Sequence, residues 1–344
     1  MKIANLYEDK SVLITGACGT VGQELVKQLL QDEYKINEIV CIDNNESTLF
    51  FMEQEYVNEN RITFFIADVR DKHELESRFK GIDIVFHCAA LKHVTYCERS
   101  PDQAVQTNIN GVQNVISAAK SNNVQVVIFT SSDKAVNPTN VMGTTKLMGE
   151  RLITAANSNK RSDGPIYAST RFGNVLGSSG SVIPVFKRQI LSGGPVTLTD
   201  TEMTRFVMSI HEAAKLVIDS AAVARGGEVF VTKMPVIRIE DLANSMIEIY
   251  AQKEGFGSVD IEVIGAKPGE KLYEELMSPE ETRRAVELKE FFSVLPAFRG
   301  FYSNIEYEYD NTISSIVDNP YVSSDEVYLS VEEIKLFLEE NKLI

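Results

Sequence analysis

SVLITGACGTVGQELVKQLL, Ser11 to Leu30, is the stretch that decides the fold. Ser11–Thr15 is a short apolar run, and it leads straight into glycines at 16, 19 and 22 before an amphipathic stretch, Val21–Leu30. That order predicts a strand, a tight turn and a helix. Glycine lets the backbone turn sharply and approach a ligand closely. The free amides at the start of the helix offer the positive end of its dipole to a pyrophosphate. Gly16, Gly19, Thr20, Val21 and Gly22 are therefore candidates to hold a dinucleotide. Asp43 follows Gly22 by 21 positions, at the end of the next apolar run, where its carboxylate can accept hydrogen bonds from an adenosine ribose. A carboxylate repels a 2′-phosphate, which favours NAD over NADP, although Asn44 and Asn45 can accommodate either. Asp68 and Val69, closing a third run, are expected beside the adenine.

Outward from this stretch the same rhythm continues through EIVCID (38–43), ITFFIAD (62–68), IVFHCAA (84–90) and VQVVIFT (124–130). Amphipathic stretches such as Val21–Leu30 and Ala104–Lys120 are long enough to be crossovers. The pattern predicts an α/β fold, a Rossmann-like doubly wound parallel sheet. Past Arg171 it gives way to Gly- and Ser-rich turns, a helical stretch near Ile210–Val223 and an isolated apolar run, GEVFVTK, at 227–233. We therefore expect a dinucleotide-binding domain over 1–170 with a later contribution from about 206–235. A smaller interwoven domain is expected over 171–205 and 236–344. Ser330 and Glu333 have capping-box spacing ahead of a C-terminal apolar face.

Composition narrows the function. The 344 residues, 44% of them hydrophobic, suffice for a sizeable core and about two domains. Acidic residues outnumber Lys plus Arg by 49 to 34, a net charge of −15 that repels nucleic acid and anionic membrane surfaces. A phosphate-bearing ligand must then meet a local basic patch. The opening MKIANLYEDK lacks the apolar core of a leader and no run approaches the ~20 apolar residues of a membrane span, so a cytoplasmic setting is expected. The four cysteines and four histidines show no ligand spacing, and neither disulfides nor a metal are expected.

Chemistry is expected where the fifth run ends, because open α/β sheets bind ligands beyond the carboxyl ends of their strands. There the chain reads Ser131-Ser132-Asp133-Lys134, then NPTN, then Met142-Gly-Thr-Thr-Lys146. Met142 and Lys146, four apart, share one helix face.

At these residues the chain resembles the extended short-chain dehydrogenase/reductase superfamily and, within it, bacterial UDP-N-acetylglucosamine 4,6-dehydratases. The matching blocks are TGACGTVG (15–22), HCAALKHV (87–94), TNINGVQNV (107–115), SSDKAVNPTNVMGTTK (131–146), RFGNVLGSSGSVIPVF (171–186), LTDTEMTRF (198–206) and KPGEKLYEEL (267–276). The superfamily normally carries a tyrosine four residues before its lysine; Met142 stands there, and a thioether has no proton to exchange. The methionine subgroup is expected to retain configuration at C5.

The resemblance implies oxidation at sugar C4 by NAD or NADP held tightly, loss of water across C5 and C6, and return of the hydride to C6. Within it Lys134 is the C5 base, Asp133 the acid at the C6 hydroxyl, Ser132 the partner of the C4 oxygen and Lys146 the partner of the nicotinamide ribose. Ala89, Ala90, Lys92 and His93 match the segment that binds cofactor and positions substrate, and Asn108 a scaffold position. Lys187 and Arg205 are expected to pair with the diphosphate of a UDP-sugar, Asn174 and the Ser181-Val182 backbone to orient it, and Thr199 and Met203 to line the nucleotide pocket. Lys267 and Glu270 stand where the family commonly has arginine and glutamate on phosphate and ribose; lysine forfeits the bidentate geometry. A homo-oligomer is implied as well. A sugar 4-epimerase is the enzymatic rival, and a non-catalytic NAD(P)-sensing protein is the rival of another class.

Overall fold

The computed structural model describes residues 3–160, 164–178, 181–254, 259–265, 269–298 and 305–344. Six parallel strands form the centre: β1 (Ser11–Thr15), β2 (Glu38–Asp43), β3 (Ile62–Ile66), β4 (Ile84–His87), β5 (Val126–Ser132) and β6 (Ile166–Phe172). Their order is β3-β2-β1-β4-β5-β6, with Val12 of β1 opposite Ile39 of β2 and Ile84 of β4. This is the doubly wound order, which reverses direction between β1 and β4 and opens a crevice there.

Both faces of the sheet are covered, so these strands read as continuous apolar runs. Successive side chains enter opposite layers: Val12, Ile14, Phe86 and Ile128 in one; Leu13, Val85, Val127 and Phe129 in the other. The helix Thr20–Leu29 follows the glycine turn and packs against Ile210–Val223. The stretch Ala104–Lys120 is not one regular helix. Pro101–Val105 and Gly111–Ser121 flank a π-helical turn, Gln106–Asn110. The buried Asn108 in that turn accepts from Leu91 N and donates to Leu91 O and Thr145 Oγ1, ties that a regular register would have to give up. No helix among the described residues is long and apolar enough to cross a membrane.

The division between lobes differs from the expected one. Val229–Thr232 extends the sheet parallel to β6, and the antiparallel strands Phe291–Val294, Ala285–Leu288 and Thr312–Ser314 continue it to ten strands among the described residues. Part of 236–344 therefore belongs to the large sheet: Phe291–Val294 returns from well down the chain to cover the edge that Val229–Thr232 would leave bare. The smaller lobe gathers the helices Val182–Leu191, Ile239–Glu254 and Val331–Glu340 around Ile183, Phe186, Leu242, Met246 and Leu338. Ser330 and Glu333 form their capping box.

Arg171 of β6 is fully buried and ties these parts together. Its Nε and Nη2 donate to Glu150 at 2.9 and 2.6 Å, and Nη1 donates to Leu276 O at 2.8 Å. Nη1 and Nη2 also donate to Glu281 at 3.1 and 3.0 Å. Replacing Arg171 by Leu leaves two buried carboxylates without their cation and is expected to destabilise the fold by about 3–5 kcal/mol, read as a lower urea midpoint. Burial opposes ionisation of Glu281, but Arg171 outweighs it and holds the carboxyl down to about 2. Its contribution is thus complete above the ordinary glutamate range of about 4.3 and is lost as pH falls from there towards 2. Glu281→Gln should flatten the loss of urea resistance in that window.

Candidate active site

A cavity of about 1090 Å³ runs from the glycine turn, past the ends of β4 and β5, into the smaller lobe. At its first end lie Gly16, Gly19, Thr20, Val21 and Gly22. A Cβ on Gly22 would collide with the carbonyl oxygen of Gly16, and one on Gly16, whose φ is +69°, would sit 2.6 Å from Ala89 N. The turn is therefore packed to its backbone on the inside and open to a ligand on the outside, which fits a pyrophosphate.

Asp43, Asn44, Asp68, Val69 and Ala89 stand behind this surface rather than in the cavity wall. Asp43 accepts the amides of Cys18 at 3.0 Å and Asn45 at 2.9 Å, so it shapes the turn, with one lone pair left on each oxygen. Asp68 accepts from Asn44 and from the fork of Arg70, which holds its carboxyl below the ordinary range. Val69 is buried against Gly111. Ala90, Lys92 and His93 line the cavity, with His93 edge-on to Tyr96.

Ser132, Asp133, Lys134, Met142 and Lys146 converge on the middle. Met142 is buried and Lys146, one turn on, is also buried. Lys146 Nζ donates to Thr130 O at 2.9 Å and lies 4.7 Å over the Phe129 ring. Burial pulls Lys146 down to about 8. His87 donates to or accepts from Thr15 Oγ1; burial and then Lys146 push it down to about 3, so the ring is neutral. Ser132 Oγ donates to Asp133 Oδ1 at 2.5 Å, and Lys134 Nζ reaches Asp133 Oδ2 at 2.9 Å.

Sequence reasoning missed the residue at the centre of this group. Glu274, in the KPGEKLYEEL block, is 5% exposed and meets Lys134 Nζ at 3.5 Å, Asn174 Nδ2 at 2.8 Å and Arg205 Nε at 3.2 Å. It also lies within hydrogen-bond reach of Asp133. Burial, then the Asp133 charge, push Glu274 up to about 7 against Lys134 and Arg205. Burial alone would lower Lys134, but Asp133 and Glu274 together hold it above its ordinary value. Lys134 is an ammonium here, contrary to the lowered value a base requires. Asp133 stays below the carboxylate range because Lys134, Glu274 and Ser132 outweigh its burial. In sequence Glu274 is one acid among 49, and only the chain reversal that returns it to β5 distinguishes it.

At the far end Ser181, Val182, Thr199, Met203, Arg205 and Glu270 line the cavity. Ser181 makes no side-chain cap to the helix Val182–Leu191, whose first residues line the cavity. Arg205 does not stand ready for a diphosphate: it pairs with Glu274 and donates to Thr204 O, Leu272 O and Lys271 O. Asn174 is likewise engaged with Glu274 and Phe206 O. Lys187 is turned out of the cavity, its ammonium 5.4 Å over the Tyr250 ring. Lys267 lies outside the described residues. Among the described residues no cluster of three metal-ligating side chains occurs.

Glycine turn, crevice and strand-end Ser-Asp-Lys group together are the architecture of the extended short-chain dehydrogenase/reductase fold. A solved structure shares it: Pen from Bacillus thuringiensis, 40% identical, with a TM-score of 0.89 over 98% of this chain and 99% of that chain. A family model described as "Polysaccharide biosynthesis protein" matches residues 12–296, and the chain belongs to that family. Among its relatives is an "Uncharacterized membrane protein" of Methanocaldococcus jannaschii, 50% identical over 86% of this chain and 88% of its own. A "UDP-N-acetylglucosamine 4,6-dehydratase (inverting)" of Campylobacter jejuni is 36% identical over 90% and 89%. A "UDP-glucose 4-epimerase" of Rickettsia typhi is 38% identical over 84% of both chains.

Gly22→Ala is expected to weaken dinucleotide binding by at least about tenfold, since the new methyl must push the turn apart at the pyrophosphate. Titration of NAD followed by protein fluorescence checks this, with far-UV circular dichroism showing the sheet intact.

Proposed function

We propose that this chain is a UDP-N-acetylglucosamine 4,6-dehydratase that forms UDP-2-acetamido-2,6-dideoxy-4-keto-hexose for surface-glycan synthesis. The observation that carries the reading is the placement of Asp133 and Lys134 side by side at the carboxyl end of β5, within the cavity. Elimination requires an acid at the C6 oxygen and a base at C5, whereas an epimerase needs only the C4 chemistry. A sensor needs neither.

When bound, a nicotinamide dinucleotide supplies the acceptor and donor of hydride. Gly16, Gly19 and Gly22 would hold its pyrophosphate, the remaining lone pairs of Asp43 its adenosine ribose, and Lys146 its second ribose. Asp43 favours NAD, because a 2′-phosphate there would meet a carboxylate. Ser132 holds the C4 oxygen, Lys134 takes the C5 proton and Asp133 protonates the departing C6 hydroxyl. The helix N-terminus at Ser181-Val182, which has no side-chain cap, with Lys92 also lining the cavity, suits the diphosphate better than Arg205 or Lys187. Thr199, Met203 and Glu270 line the nucleotide end. Met142 in place of tyrosine, as in the methionine subgroup, supports retention at C5, opposite to the outcome named for the Campylobacter relative. The working form is a cytoplasmic homo-oligomer.

The test incubates the purified protein with UDP-N-acetylglucosamine in deuterated water, without added cofactor. Loss of water with one deuterium at C5 is the expected result, and the ring couplings read retention or inversion. A C4 epimer of unchanged mass selects the epimerase. No turnover with NAD or NADP supplied overturns the assignment. Lys134→Met should lower water loss by about 10²–10⁴, the usual contribution of a positioned base.

A further inference from the structure

The base assigned above is an ammonium in this structure, and an ammonium cannot take a proton. The acid beside it, Asp133, is an ionised carboxylate and has none to give. One proton is on the wrong member of the pair. Glu274 touches both: its Oε1 is 3.5 Å from Lys134 Nζ, and its carboxyl is in hydrogen-bond reach of Asp133. Once Glu274 has taken up a proton, the two carboxyl groups can share it across their hydrogen bond. The other charged group facing Glu274 is Arg205 of the strand Thr204–Met208, and Asn174 donates to both of its oxygens. Ser323 Oγ accepts its backbone amide. On its own segment Glu275 is paired with Lys271 and faces elsewhere.

We propose that Glu274 is a positioning residue of the elimination, the relay that accepts a proton from Lys134 Nζ and returns it through Asp133 to the departing C6 hydroxyl. This rests on the dehydratase reading. The balance is closed. Nζ gives a proton to Glu274 and becomes an amine. The C5–H bond then breaks, its proton going to Nζ and its electron pair forming the C5–C6 double bond. The C6–O bond breaks, and the oxygen leaves as water with the proton held by the Asp133–Glu274 pair. Lys134 is again an ammonium between two carboxylates. It later returns its proton to C5, and the one released by the C4 hydroxyl restores the count.

The sign of the pH dependence follows. A protonated Glu274 cannot accept from Lys134, and Glu274 is pushed up to about 7. Water loss by the wild-type protein should therefore fall about tenfold per pH unit below that value, while C4 oxidation, read as nicotinamide absorbance on adding substrate, persists.

The experiment compares wild type, Glu274→Gln and Glu274→Asp with UDP-N-acetylglucosamine, following water loss by mass spectrometry and nicotinamide absorbance between pH 5.5 and 9, with melting temperatures recorded. The expected result is a loss of at least about 10² in dehydration for Glu274→Gln with C4 oxidation retained, partial recovery in Glu274→Asp, and an acidic limb present only where a carboxyl remains. Full dehydration by Glu274→Gln, or loss of oxidation and dehydration in equal measure, overturns the relay and leaves the dehydratase reading standing. If Glu274→Gln does not fold, a wild-type rate flat from pH 5.5 to 9 overturns it equally. Absence of water loss by the wild type overturns the functional reading, and the relay with it.

Discussion

Arg171 is the constraint on which the site depends. A guanidinium with no access to water must have its five N–H groups satisfied and its charge balanced, and Glu150, Glu281 and the Leu276 carbonyl do both. These partners come from two places in the chain. Glu150 lies on Val141–Ser158, the helix that carries Met142 and Lys146, whereas Leu276 and Glu281 lie just past Glu274. Arg171 itself sits opposite Ser131 in the sheet. The same charge therefore sets the helix with the lysine, the end of β5 and the returning segment with Glu274 in one register. Such a polar anchor is a costly way to hold elements together, and apolar side chains would do it with less desolvation. What it adds is direction, since a planar fork accepts its carboxylates in few orientations.

Charge balance explains the neighbouring group as well. Asp133, Lys134, Glu274 and Arg205 are two anions and two cations packed together, and Asp133, Lys134 and Glu274 are each shifted by their neighbours. The arrangement is near neutrality as a whole, so burying it is tolerable, yet its two carboxyls and its lysine are displaced from their ordinary affinity for protons. Lys134 is raised, Asp133 lowered and Glu274 brought near 7. Proton positions within such a group are set jointly by its members rather than by any one of them.

Most of the sheet was legible in the sequence because strands covered on both faces read as unbroken apolar runs. SVLIT and EIVCID end where the strands end. The glycine turn was legible for the same kind of reason, since only glycine avoids the collisions that a Cβ meets at positions 16 and 22. The kink at Asn108 and the added strands between Ala285 and Ser314 were not legible. The first is decided by side-chain bonds to Leu91 and Thr145, and the second by short segments whose apolar pattern is no stronger than that of a turn. Charged residues were the least legible. Lys187 and Arg205 carry the charge a diphosphate needs, but the fold gives one to the Tyr250 ring and the other to Glu274. Sequence records a charge and not its counter-charge.

The missing tyrosine is the remaining question of chemistry, and the structure narrows the groups able to replace it. Met142 exchanges no proton. His87 is neutral, but burial makes it too weak a base, and it sits against Thr15. Lys146 is brought to about 8, so a fraction is amine near neutral pH, yet its Nζ is already engaged with Thr130 O in the cavity wall. Ser132 remains, with its hydroxyl already aimed at Asp133. A C4 hydroxyl that donates to Ser132 Oγ would pass its proton along the line on which Ser132 donates now, and Asp133 would receive it. In that arrangement the C4 proton joins the Asp133–Glu274–Lys134 group and makes up the proton that Lys134 later returns to C5, while the thioether of Met142 closes the wall where a phenol would have stood.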